Sequence, residues 1–143
     1  MADVTVTAGK VVPLGNAIVR RYDAGGAIGA GKAVYVANDG DVEHADANTL
    51  APAQARGLVV SNGTGGQSFA AGERVDVVTH GPVAGFSGMT PGAALFVSAD
   101  NAGGLTHTAP TANGDYPFAI GYAESDQVAF IQPQTTVPVV NAT

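Results

Sequence analysis

The chain has 143 residues, with 20 Gly, 8 Pro, no Cys, 13% charged and 45% hydrophobic residues, and a net charge of −6. Without cysteine there is no disulfide framework and no thiolate metal centre. Six Lys and Arg against twelve Asp and Glu leave no basic footprint for nucleic acid or an anionic membrane. The length suits one domain, 1–143, able to bury a core unaided. No apolar run approaches the roughly 18 residues of a membrane-spanning helix. Met1-Ala2-Asp3-Val4-Thr5-Val6 has neither a basic leader nor a hydrophobic signal core, so a soluble product made in a cytosol is expected.

In chain order, alternation of β-branched and aromatic residues predicts strands over 4–7, 17–22, 33–36, 58–60, 74–79, 95–97, 118–122 and 128–131. Clusters of Gly, Asn, Asp or Pro separate them, which is the pattern of a compact antiparallel β-sandwich or barrel. Helical periodicity is confined to 49–56, so at most one short helix is expected. Residues 1–14 form an N-terminal arm or edge strand, 15–132 the β core and 133–143 an extended C-terminal arm that carries two prolines and no charge.

One phrase recurs three times: Ile28-Gly29-Ala30-Gly31-Lys32-Ala33-Val34-Tyr35-Val36, Phe69-Ala70-Ala71-Gly72-Glu73-Arg74-Val75-Asp76-Val77 and Met89-Thr90-Pro91-Gly92-Ala93-Ala94-Leu95-Phe96-Val97. Its physical meaning is a tight turn in which Gly31, Gly72 or Gly92 takes positive φ before a half-buried strand begins. The first and third copies continue alike and lie 61 residues apart, which suggests a repeated hairpin unit, although ordinary turn grammar would give the same pattern.

Motifs that invite chemistry fail on context. Gly26-Ala27-Ile28-Gly29-Ala30-Gly31-Lys32 matches a phosphate loop, but Ala33 stands where Ser or Thr would hold magnesium, and a strand follows instead of a helix. The acidic run Asp39, Asp41, Glu43, His44, Asp46 has His44 and Leu50 where a calcium loop needs glycine and a bidentate carboxylate, so it reads as a solvated loop. His44, His80 and His107 are too scattered to imply a metal or a triad. Gly85-Phe86-Ser87-Gly88 lacks the second glycine of a nucleophile elbow. The aromatics fall at strand positions among few basic residues and read as core and seam packing. Asn62-Gly63-Thr64 reads as a turn. No catalytic residue, metal or cofactor is expected.

Three groups of residues resemble the head decoration, or capsid cement, proteins of tailed bacteriophages. These are Met89–Ser98 with Gly103-Gly104-Leu105-Thr106 and Thr108–Thr111, Phe118–Ala123 with Val128–Ile131, and Gly31–Val36 with Ala51–Val60. The likeness covers about 17–132, and phage tail and fibre proteins share its Pro-Gly-x-x-Leu-Phe-Val phrase. It implies a β domain on the capsid exterior of a virion, bound to the major capsid protein and to itself as a dimer or trimer, without catalysis. A tail or fibre module binding a host surface is the alternative. Contact with neighbours is expected from the arms, through Val4 and Val6 at one end and Val137, Val139 and Val140 at the other. For residues 3–7, completing the chain's own sheet is equally open.

Overall fold

The computed structural model describes residues 4–62 and 67–142. The strands are β1 (Thr5–Val6), β2 (Val12–Pro13), β3 (Ile18–Asp23), β4 (Ile28–Gly29), β5 (Ala33–Val36), β6 (Val42–His44), β7 (Gly57–Val60), β8 (Ser68–Phe69), β9 (Arg74–Ala84), β10 (Phe86–Ser87), β11 (Ala94–Val97), β12 (Leu105–Thr106), β13 (Ala119–Ala123) and β14 (Val128–Ile131). A 3-10 turn spans Ala8–Lys10, and one helix, α1, spans Leu50–Ala53. The fold is all-β: an antiparallel sheet curls into a half-barrel in the order β12-β11-β13-β14-β9-β7-β5-β6.

Each segment expected to be a strand contains one. The six that alternation does not reveal, β2, β4, β6, β8, β10 and β12, are only two or three residues long, too short for a period to show. The helix expected over 49–56 is a single turn. Thr49 makes no side-chain cap bond. Beyond that turn Arg56 donates its amide to the Val34 carbonyl and the chain enters β7, so sheet pairing overrides local preference.

β9 joins the two halves of the sheet. Its first half pairs with β7 on one edge and β3 on the other, and its second half pairs with β14 and β2. β2 and β3 thus run as one interrupted strand along β9, and the interruption faces Gly81 and Pro82. Gly81 has φ +123° and no room for a Cβ, which would stand 2.5 Å from Ala17 Cα. Pro82 lacks an N–H and its carbonyl accepts from Leu14, so the break falls where no ladder donor exists. Arg20, Arg21 and Asp23 lie exposed on β3, where charge discourages edge pairing.

Gly31, Gly72 and Gly92 have φ of +91°, +87° and +84°, each in the turn before a strand of the repeated phrase. The first and third copies also share connectivity. β5 is flanked by β6 and β7, and β11 by β12 and β13, so each copy supplies the middle strand of a three-strand unit.

Apolar residues collect in two clusters. The larger lies inside the curl and includes Leu58, Val83, Leu95, Phe118, Ile120 and Ile131; the smaller holds Ile28, Val34, Val42, Val59, Phe69, Val75 and Val77. β7 is buried on both faces, Leu58 serving the larger cluster and Val59 the smaller. Each fully buried aliphatic side chain contributes about 1.5–3 kcal/mol, so truncating Leu95 to Ala should cost roughly 2–5 kcal/mol.

Candidate functional site

The two termini are built differently. At the N-terminus Val4 donates its amide to Leu105, Thr5 and Val6 pair with Ser87 and Phe86, and Thr7 donates to Gly85. Val4 and Val6, candidates for a partner contact, are packed against the chain's own larger core. Val6 sits so tightly over the Gly31 turn that a Cβ on Gly31 would stand 2.5 Å from its Cγ2. This arm pairs within its own chain, as a two-stranded ladder with β10 apart from the main sheet.

Among its described residues the C-terminal segment forms no ladder. Gln134 holds its near end, its Oε1 accepting from the Ala119 amide at 2.8 Å while its backbone N–H donates to the Ala119 carbonyl. Asn141 holds the far end: its Nδ2 donates to the Pro110 carbonyl at 2.7 Å, and its backbone exchanges bonds with Gly114 and Asp115. Between these anchors Pro138 is buried, whereas Val137, Val139 and Val140 are 63%, 80% and 42% exposed. Hydrophobic side chains are thus presented outward on a backbone that is already fixed.

A second apolar surface was not legible as such in the sequence. Cross-strand partners share a face, and register aligns Ala94, Tyr122, Phe130 and Pro82 across β11, β13, β14 and β9, with Leu14 beside Pro82. A parallel row holds Val128, Ala84 and Val12. Ile18 opposes His80, whose ring meets Phe130 edge-on at 5.2 Å, and Tyr122 stacks on Phe130 at 5.4 Å. The opposite side of these strands, with Val83, Ala129 and Ile131, is the core, so this row is the sheet's outer face. None of these positions is charged, but exposed Glu124, whose amide donates to the Val128 carbonyl, borders the face. The available signal was Val128-Ala129-Phe130-Ile131, apolar on both faces, a pattern that fits a strand buried on both sides equally well.

A cleft of about 260 Å³ lies beside β5 and β6, lined by residues including Tyr35, Glu43, His44, Asp46 and Asn48. Tyr35 and Glu43 are cross-strand partners. Burial, followed by the charge of Lys32, holds the His44 imidazole below its ordinary pKa, with Glu43 opposing, and its buried Nε2 has no hydrogen-bond partner.

The remaining candidates have structural roles. Lys32 lies between β4 and β5, with a strand and no helix after it. Asp39 accepts the Asp41 amide within the β5–β6 turn. His107 accepts the Thr90 amide at Nε2, which leaves Nδ1–H to donate to the Ala94 carbonyl at 2.9 Å, so it fastens the turn before β11. Among the described residues, no group of three or more His, Cys, Asp or Glu side chains is placed to hold a metal ion. Of Asn62-Gly63-Thr64, Gly63 and Thr64 lie outside the described residues. No protein-family model matches the chain, and no curated protein is similar to it.

Proposed function

We propose that this chain is a structural virion protein that binds the outside of an assembled phage capsid as a dimer or trimer and clamps neighbouring major capsid subunits, without catalysis or cofactor. The observation that carries the reading is the C-terminal segment, which shows Val137, Val139 and Val140 to solvent while Gln134, Pro138 and Asn141 fix its backbone. A pre-ordered apolar segment loses little conformational freedom on docking. Several copies touching one shell would gain further from effective concentration, and a ligand specific for the assembled shell holds that state against disassembly.

The test is co-sedimentation of capsids stripped of the chain with the full chain or with the triple variant Val137→Ser, Val139→Ser, Val140→Ser. The full chain should pellet in proportion to the major capsid protein, and the triple variant should stay in the supernatant while remaining folded. Retention of the triple variant on the shell would defeat the reading.

A second reading rests on the Tyr35, Glu43 and Asp46 cleft, because an aromatic ring beside carboxylates and an amide suits the C–H face and hydroxyls of a sugar. It assigns the chain to a tail or fibre module. Copy number per particle separates the two, since a module of that kind is present in a handful of copies.

A further inference from the structure

We propose that Asn113-Gly114 is a latent deamidation site that the C-terminal segment holds shut, so that Asn113 is converted to aspartate and isoaspartate only when that segment has left its seat. The inference goes beyond the reading above and is tested without any shell.

Asn-Gly pairs are prone to this reaction, because glycine has no Cβ to hinder the approach of its nitrogen to the preceding side chain. The chain holds Asn62-Gly63 and Asn113-Gly114. In the first step the Gly114 nitrogen gives its proton to hydroxide and attacks Asn113 Cγ. That C–N bond forms, the Cγ–Nδ2 bond breaks, and the amide takes a proton from water and leaves as ammonia. Water then opens the cyclic imide. Cleavage on the Cγ side leaves aspartate in a normal backbone, and cleavage on the backbone-carbonyl side leaves isoaspartate, whose chain runs through Cγ. Nothing is oxidised or reduced.

The fold opposes ring closure through one peptide. Asp115 donates its amide to the Ala112 carbonyl at 3.1 Å, Gly114 has φ +94° and Asn113 has negative φ, which together make 112–115 a type II turn. In such a turn ψ of the second residue is about +120°, which points the next nitrogen away from the side chain. Ring closure therefore requires the Asn113-Gly114 peptide to rotate, and that peptide is latched. The Gly114 N–H donates to the Asn141 carbonyl at 2.9 Å, and the Asn141 amide donates to the Asp115 carbonyl at 2.8 Å. Asn141 is itself fastened by its Nδ2 on the Pro110 carbonyl. Rotation of the peptide breaks the Gly114 bond outright. Asn113 is exposed, and no described residue comes within 4 Å of where a Gly114 Cβ would stand, so the turn is otherwise open to water.

The products keep the segment out. Isoaspartate inserts an extra backbone carbon before Gly114, so the Gly114 N–H no longer meets the Asn141 carbonyl in register. Either product adds a carboxylate close to Asp115 in a chain already at −6. Deamidation at Asn113 thus makes release of the segment a one-way event.

Peptide mapping by mass spectrometry, after incubation in mildly alkaline buffer, reads conversion at Asn113 separately from Asn62. The full chain should convert slowly. A chain ending at Val140 lacks the Asn141 carbonyl but keeps Gln134 and Pro138, and it should convert at least about tenfold faster, as expected of a site closed by a local opening equilibrium. Hydrogen exchange at Ile120, a fully buried core position, should be as slow in the shortened chain as in the full one, so that local and not global opening is read. If the shortened chain does not fold, Asn141→Ala, which deletes the bond to Pro110, carries the test and should also convert faster than the full chain. Equal rates in the full and altered chains would overturn the proposal, since the turn alone would then set the rate. So would a full chain that converts as fast as the chain in denaturant, or a product that contains aspartate and no isoaspartate, because the imide opens to both.

Discussion

Both ends of the chain are rich in valine, yet one is consumed by the fold and the other is displayed. At the N-terminus the backbone has partners on Gly85, Phe86, Ser87 and Leu105, so its valines follow the ladder into the core. At the C-terminus two prolines remove ladder donors, and attachment passes to Gln134, Asn141 and the buried ring of Pro138. When polar and proline residues do the anchoring, the apolar side chains are left to face solvent. Valine content therefore does not say what an arm does; the attachment of its backbone does.

The largest effect expected from this contrast is loss of the N-terminal arm. Removing residues 1–7 uncovers Phe86 and the Gly31 turn and deletes two partly buried valines packed on the core, each contributing up to about 1.5 kcal/mol. Several kcal/mol is a large part of ordinary domain stability, so chemical denaturation should show a strongly lowered midpoint or no cooperative transition. An unchanged midpoint would place the arm outside the cooperative unit.

Next comes Gly31→Val. It meets both a positive φ and the Val6 Cγ2, whereas Gly92→Val meets the same backbone strain with open space around it. Gly92→Val should cost on the order of 1–3 kcal/mol and Gly31→Val more. Most of the excess should vanish in a Val6→Ala background, the rest being owed to Val11 Cγ2 at 3.3 Å, a coupling that a double-mutant cycle measures directly.

Deleting residues 133–143 should do less to stability. The product loses the Gln134 and Asn141 bonds and the Pro138 contact, but the β strands remain, so it should fold with a midpoint lowered by roughly 1–3 kcal/mol and dissociate from shells under salt or heat. An unfolded product would mean that the segment is core. Substituting Val137, Val139 and Val140 with Ser should leave the midpoint within about 0.5 kcal/mol per site, as for exposed positions in general.

The smallest effect is an acid response. Burial and then Lys32 hold the His44 imidazole below its ordinary pKa of 6.5 in the fold. Below that value the unfolded chain binds a proton that the folded chain resists, so the contribution is present above pH 6.5 and is lost as pH falls. His44 and Lys32 meet at Gly103, close in sequence to Leu105, which accepts the Val4 amide. Mild acid should therefore reduce hydrogen-exchange protection at Val4 before it does so at Asn141, and His44→Gln should remove the difference.

The turn glycines and the longer strands were legible because each rests on local physics: φ > 0 belongs to glycine, and alternation over four or more residues marks a half-buried strand. The outer face was not legible. Tyr122 and Phe130 have the composition of core residues, and only the register of β13, β14 and β9 shows that they lie on the side away from Ala129 and Ile131. The destination of the arms was equally hidden, since Val4 and Val139 look alike until their backbone partners are known.

Sequence by itself settled the all-β class, the positions of most strands, the turns at Gly31, Gly72 and Gly92, and the lack of charge over the C-terminal segment. These follow from propensities and steric limits within a few residues of each site. Tertiary structure decided that β9 is the shared strand of two half-sheets, that the N-terminal valines pack inward while the C-terminal ones face out, and that an aromatic row lies uncovered. Such outcomes depend on which distant backbone groups pair, and a one-residue change of register exchanges the two faces of a strand.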